Sequence, residues 1–279
     1  MHRWLNRESK GAVLFVLLLA MSTARAQTTI YDIDQDPVSS PPTDGYNNNR
    51  SWSWLNGPEI GGCGGGVCHS LGDISHTSDP SLDGSATQLA LNKIGDGCDV
   101  DCWSDVWFGN RIYHNETTAD DASSFTLDLY LALDSSGISN SQAIEFNIEQ
   151  AAQTAPGEWS RYVYSLQCDY KGSHKWRVWD GGANGGAGSW EETAADCVPP
   201  FPANGYDHYV FHFSRPSTLY YYYNDFWIND TQRVLNYQTH GRRTEPEWED
   251  GLITWIQLDS DGNSTSYAAF ADAYTITFQ

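Results

Sequence analysis

Basic residues are scarce in this chain. Fifteen Lys+Arg stand against 36 Asp+Glu in 279 residues, a formal net charge of −21. Such a surface repels the phosphates of nucleic acid and of anionic membranes, which excludes both as partners. No CxxC pair occurs. That absence, in an exported chain, speaks against a four-cysteine zinc site built from Cys63, Cys68, Cys98 and Cys102. No Gly-x-Ser-x-Gly elbow occurs, so a Ser-His-Asp hydrolase cannot be argued. Internal repeats are lacking, and helix signals are nearly absent beyond residue 26.

Long apolar runs are missing too, with one exception near the start. Gly11 to Met21 (GAVLFVLLLAM) is too short to span a bilayer comfortably. Arg3, Arg7 and Lys10 precede it, and the small-x-small triplet Ala24-Arg25-Ala26 follows it. This pattern predicts a secretion signal over 1–26 and a mature chain that starts at Gln27. Its removal leaves a remainder more acidic than the whole chain. The expectation is a soluble protein, exported to the extracellular space or a periplasm, with no membrane insertion.

Six cysteines in an exported chain read as disulfides. Their spacing suggests Cys63–Cys68, Cys98–Cys102 and Cys168–Cys197, each stapling a loop.

What the chain does contain is alternation. Gly, Asn, Asp and Ser punctuate it every ten or so residues, and the runs between are β-branched, aromatic or alternating. This predicts an all-β, two-sheet antiparallel sandwich or barrel. The clearest strands are 125–133, 143–149, 161–167, 175–179, 208–213, 219–223, 252–258 and 268–278. Residues 27–97 hold five prolines and the GGCGGG stretch, and read as a loop-rich N-terminal part with one strand near 85–91. Residues 98–279 read as the main sandwich, and 27–279 as a single domain.

The run Gln142–Gln150 carries the sharpest signal. Ile144, Phe146 and Ile148 point one way, and Glu145, Asn147 and Glu149 the other. Two carboxylates flanking an amide repel one another and serve stability poorly. Such a row suits sugar hydroxyls, a cation or a glycosidic oxygen; the plain alternative is a solvated outer face. In Phe125–Leu133 the odd positions Phe125, Leu127, Leu129, Leu131 and Leu133 form the predicted buried set. A hairpin through 134–141 would place Asp128 and Tyr130 beside Glu145, Asn147 and Glu149 on one face.

Aromatics are the second signal, with 12 Trp and 16 Tyr. Indole faces stack on sugar rings. Trp176 and Trp179 are candidates, with Trp103, Trp107 and Trp190 also near loops or strand ends. His208 and His212 lie four apart on one strand face and join the candidate binding residues, or a metal site. Asp259-Ser260-Asp261-Gly262-Asn263 mimics the start of an EF-hand loop, but Phe270 occupies the twelfth position. It reads as a β-hairpin turn.

These residues resemble the concanavalin A-like lectin and glucanase superfamily, a two-sheet jelly roll with a concave sugar-binding face. Glu145-Phe146-Asn147-Ile148-Glu149 is similar to the catalytic strand of the laminarinase and lichenase hydrolases, Glu-x-Asp-x-Glu. Phe270 to Phe278 resembles their last strand. A second resemblance, through Pro80–Thr87, Gln142–Phe146 and Lys175–Asp180, is to secreted bacterial proteins of unassigned activity. The hydrolase resemblance implies Glu145 as nucleophile and Glu149 as acid/base, with Asn147 in place of the central Asp. It also implies a candidate structural calcium between the N-terminal Asp32 and Asp34 and the last-strand Asp272. No other cofactor is expected.

The leading expectation is therefore a carbohydrate-binding protein that recognises a polysaccharide. The alternatives are a retaining β-glycan hydrolase and a structural protein of the matrix or cell envelope.

Overall fold

A computed structural model describes residues 26–39, 50–56, 69–94, 105–114, 122–156, 158–182, 187–197, 205–244, 251–260 and 266–279. The signal segment falls outside them almost entirely, as do Cys63, Cys68, Cys98 and Cys102.

The strands in chain order are β1 (Thr28–Ile30), β2 (Trp52–Asn56), β3 (His69–Thr77), β4 (Ala86–Ile94), β5 (Asp105–His114), β6 (Ser124–Leu133), β7 (Ser141–Ala155), β8 (Glu158–Asp169), β9 (Lys175–Asp180), β10 (Ser189–Asp196), β11 (Asp207–Ser214), β12 (Tyr220–Ile228), β13 (Thr231–His240), β14 (Arg242–Thr244), β15 (Gly251–Ser260) and β16 (Tyr267–Phe278). They form two antiparallel sheets. The first runs β13-β12-β11-β6-β16-β4-β3, with β1 on β16. The second runs β10-β9-β8-β7-β15-β5-β2, with β14 on β8.

The core lies between them because each sheet turns one alternating apolar set inward. β6 contributes Phe125, Leu127, Leu129, Leu131 and Leu133, all buried as predicted. β7 faces it with Ile144, Phe146 and Ile148. The Phe146 ring lies 4.9 Å from both Tyr209 and Phe211 of the opposite sheet. Each such large apolar side chain, fully buried, contributes roughly 1.5–3 kcal/mol.

The predicted hairpin between β6 and β7 does not form. A short helix, α1 (Gly137–Asn140), carries the chain from the first sheet to the second. The reason is the apolar stripe on each strand. Laid in opposite sheets, both stripes meet across the core. Asp128 and Tyr130 therefore face outward from the first sheet, on the far side of the sandwich from Glu145.

The loop-rich reading of 27–97 missed β1, β2 and β3 and found β4. Cys168 and Cys197 are disulfide-bonded, with Cα atoms 5.4 Å apart, and join the end of β8 to the chain just after β10. That bond fits an oxidising compartment. Among the described residues no helix is long and apolar enough to cross a membrane.

Candidate functional site

The outward side chains of the second sheet line up in rows, because register partners on adjacent strands share a face. One row runs Trp107 (β5), Gln257 (β15), Glu145 (β7), Gln167 (β8), Arg177 (β9). The next runs Gly109, Trp255, Asn147, Ser165. On the other side of the first row, Asp105 opposes Asp259. These rows floor a pocket of about 540 Å³, whose walls include Trp107, Trp179, Trp190 and Trp255.

Two glycines make room for the walls. A Cβ on Gly109 would meet the Trp255 ring at 2.5 Å, so the indole lies against bare backbone there. Gly188, at φ +80°, likewise faces Trp179, with a Cβ-to-ring distance of 2.2 Å. Trp179 and Trp190 meet edge to face at 5.4 Å, and the Arg177 guanidinium sits 5.8 Å from the Trp190 ring.

The Glu145–Glu149 row is not a solvated face. Glu145, Asn147 and Glu149 are 6%, 7% and 3% exposed. Glu149 is ion-paired with Arg161 of β8, whose Nη2 donates to Oε2 at 2.6 Å. Among the described residues no such cation is bonded to Glu145. Its Oε1 accepts from Gln167 Nε2 at 2.7 Å and from Gln257 Nε2 at 3.0 Å. The same Gln257 nitrogen donates to Asp259 Oδ1 at 2.7 Å and to Asp105 Oδ2 at 3.3 Å. Gln167 also reaches Asp259 Oδ2 at 3.3 Å.

Three carboxyls thus converge on two neutral amides. Burial, then the neighbouring Asp259 and Asp105, push Glu145 well above the usual carboxylate range. Burial and Asp105 raise Asp259 to about 8, and burial raises Asp105 to about 6. Asp169 behaves oppositely. Burial works against its charge, but the Ser173 and Gly172 amides and Arg177 outweigh it and lower the pKa.

Some buried polar atoms of this floor have no hydrogen-bond partner among the described residues. They include Asp105 Oδ1, Gln167 Oε1 and Trp107 Nε1. Buried polar groups are rarely left so. A ligand's hydroxyls and ring oxygens would satisfy them.

Of the predicted site residues, the structure gathers Glu145, Asn147, Glu149 and Trp179 in the pocket. Trp176, expected at the site, is instead in the core: it is 1% exposed, its ring 4.6 Å from that of Phe226, because alternation points it away from the face of Arg177. Asp128, Tyr130, His208 and His212 are elsewhere, on the outer face of the first sheet. There His208 Nε2 meets Asp128 Oδ1 at 2.6 Å, the Tyr130 ring stacks on His208 at 4.4 Å, and His212 Nδ1 meets Asp225 Oδ1 at 2.5 Å. They form two His–Asp pairs across strands and do not touch the pocket.

Of the acidic trio near the N-terminus and β16, two come together. Asp34 accepts from the Tyr274 amide at 2.7 Å, and Asp272 accepts from the Leu82 amide at 2.6 Å and from Ser81 Oγ at 3.0 Å. Burial, and the charges of Asp272 and Asp83, raise Asp34 to about 6. Asp34 Oδ2 and Asp272 Oδ1 are buried without a hydrogen-bond partner among the described residues. Asp32 is exposed. Among the described residues no three His, Cys, Asp or Glu side chains are grouped to hold a metal.

Sequence reasoning missed Asp105, Arg161, Gln167, Trp255, Gln257 and Asp259. A signal was present in β15, where Trp255, Gln257 and Asp259 alternate with Ile256 and Leu258, just as the acidic row of β7 alternates.

No protein-family model matches the sequence, and no curated protein is similar to it. Solved structures with a similar arrangement include a glycoside hydrolase family protein from Mycobacterium thermorestibile. It is 10% identical, with a TM-score of 0.37 over 89% of this chain and 99% of that one. An endo-1,3-beta-glucanase from Streptomyces sioyaensis is 8% identical, with a TM-score of 0.32 over 85% and 98%. Peanut lectin is 10% identical, with a TM-score of 0.32 over 82% and 98%. Lectins and glucanases are thus among the structural neighbours.

Proposed function

We propose that this is an exported protein that binds a polysaccharide on the outer face of its second sheet. The observation that carries the reading is the pocket itself. Four indoles wall a floor of buried carboxyls and amides, several of whose polar atoms lack partners among the described residues. Apolar walls with a few convergent polar groups are what ligand sites are made of, and indoles match sugar rings. Acidic groups outnumber the two arginines, and each arginine already pairs with a carboxylate. A neutral glycan fits this balance, and a polyuronate would be repelled.

The structural calcium implied by the resemblance has two donors that fit: Asp34 and Asp272, hard oxygen ligands each with an orphaned buried oxygen. They would pin the N-terminal segment to β16.

The test is retention of the mature chain on insoluble β-glucan, xylan, mannan and galactan, with Trp179→Ala and Trp255→Ala as comparisons. Retention that either substitution weakens supports the site. A chain that no glycan retains would favour the structural, matrix-type reading.

A further inference from the structure

We propose that the pocket floor takes a protonated amino group, so that the glycan bound there is an amino sugar chain with free amines. The proposal rests on the glycan-binding reading above and names the class of sugar.

The charges of the outer face leave three acids unmatched. Glu149 pairs with Arg161, and Asp169 with Arg177. Glu145, Asp259 and Asp105 have no cation bonded to them among the described residues. All three instead share Gln257 Nε2, at 3.0, 2.7 and 3.3 Å. Oxygens served by one nitrogen at such distances lie within roughly 6 Å of one another. A second nitrogen, with donors of ordinary length, can span a gap of that size.

A cluster of acids alone would not make a site. Two orphaned atoms of the floor show what it lacks. Asp105 Oδ1 and Gln167 Oε1 have no partner among the described residues, on pocket-lining side chains each 6% exposed. A carboxylate oxygen and an amide carbonyl oxygen call for donors. An ammonium brings three donors and no acceptor. A hydroxyl brings one donor, and its own lone pairs join a floor already crowded with acceptors. Trp107 Nε1 is an orphaned donor in the same row as Gln167, and it would take a hydroxyl or ring oxygen of the chain.

Electrostatics favour the same ligand. Burial raises all three carboxyls, and repulsion among them adds to it at Glu145 and Asp259. A neutral glycan is not repelled, but it leaves these acids without an opposing charge. An ammonium within ~4–6 Å favours their ionised forms and makes each hydrogen bond a charge-assisted one. The indole walls act in the same sense, because an indole face attracts a cation. The net charge of −21 also draws a polycation toward the surface.

The experiment follows tryptophan fluorescence of the mature chain at about pH 6, where amines are protonated. The probes are monosaccharides of gluco, galacto and manno configuration and a β-1,4-linked gluco hexamer. Each is used in its 2-amino, 2-acetamido and 2-hydroxy form. The wild type should bind 2-amino forms at least about 10-fold tighter than the other two. Asp259→Asn, Glu145→Gln and Asp105→Asn should each cut that preference to under about 3-fold. Asp73→Asn, which removes an exposed carboxyl of β3 in the other sheet, should keep it. The wild-type preference is decisive without any variant. Equal affinity for 2-amino and 2-hydroxy forms overturns the amine and leaves glycan binding standing. A preference that all three floor variants keep also overturns it, since the attraction then belongs to the acidic surface at large. Binding of no form overturns it too, and retention on the insoluble neutral glycans then decides the reading beneath it.

Discussion

Glu145 and Asp259 share one amide nitrogen of Gln257, at 3.0 and 2.7 Å. They come from different strands, and among the described residues no cation is bonded to either. Their neighbourhood supplies hydrogen bonds and burial but little opposing charge, so the pair keeps protons at pH values where ordinary carboxyls have lost them.

That has a consequence for stability. Between the ordinary value of 3.8 and about 8, the folded chain holds the Asp259 proton and the unfolded chain has released it. The folded state then binds more protons, so this group's contribution falls as pH rises through that window and is flat above it. Asp259→Asn should therefore raise stability at pH 9 by at least about 1 kcal/mol and flatten the pH dependence from 5 to 9. Urea unfolding of both proteins at several pH values checks this; a steeper slope in the variant would sink it.

The two neighbouring tryptophans of β9 should behave differently. Trp179→Ala should weaken glycan retention about 10-fold, with little change in unfolding. Trp176→Ala removes a fully buried indole between the sheets and should cost about 3–5 kcal/mol. Parallel affinity electrophoresis and denaturant melts separate the two effects.

Gly109→Ala tests the indole seat. The added methyl would meet the Trp255 ring at 2.5 Å, so the ring must move off the sheet. Glycan retention should fall several-fold and Trp fluorescence should shift. Unchanged retention would mean that Trp255 does not contact the sugar.

Arg161→Met leaves Glu149 buried beside an apolar chain. Losing the partner of a buried charge is costly, and with Arg161 26% exposed we expect about 2 kcal/mol. Pairing it with Glu149→Gln should restore part of that loss, which a double-mutant cycle would read.

Calcium should act through Asp34 and Asp272. A millimolar excess should raise the melting temperature of the wild type by several degrees, by mass action on the folded state. Asp272→Asn should remove the response to calcium and to chelation. A calcium response that survives the substitution would place the ion elsewhere.

The amino-acid order by itself determined the strands with strong alternation, the fold class and the acidic row of β7. Period-two patterning is a local property, and the inward sets of β6 and β7 could be read one residue at a time. It also placed Cys168 and Cys197 together, since their spacing frames one excursion of the chain.

Only the tertiary structure decided which strands are neighbours. α1 sends β6 and β7 to opposite sheets, which separates Asp128, Tyr130, His208 and His212 from the pocket. The same pairing brings Gln257 and Asp259 of β15 beside Glu145, more than a hundred residues earlier in the chain. The alternation of β15 puts Asp259 on the face of Trp255 and Gln257, but it does not say which strand lies beside that face. The chemistry of Asp259 is set by burial and by what stands across the sheet, and both depend on long-range register that alternation alone leaves open.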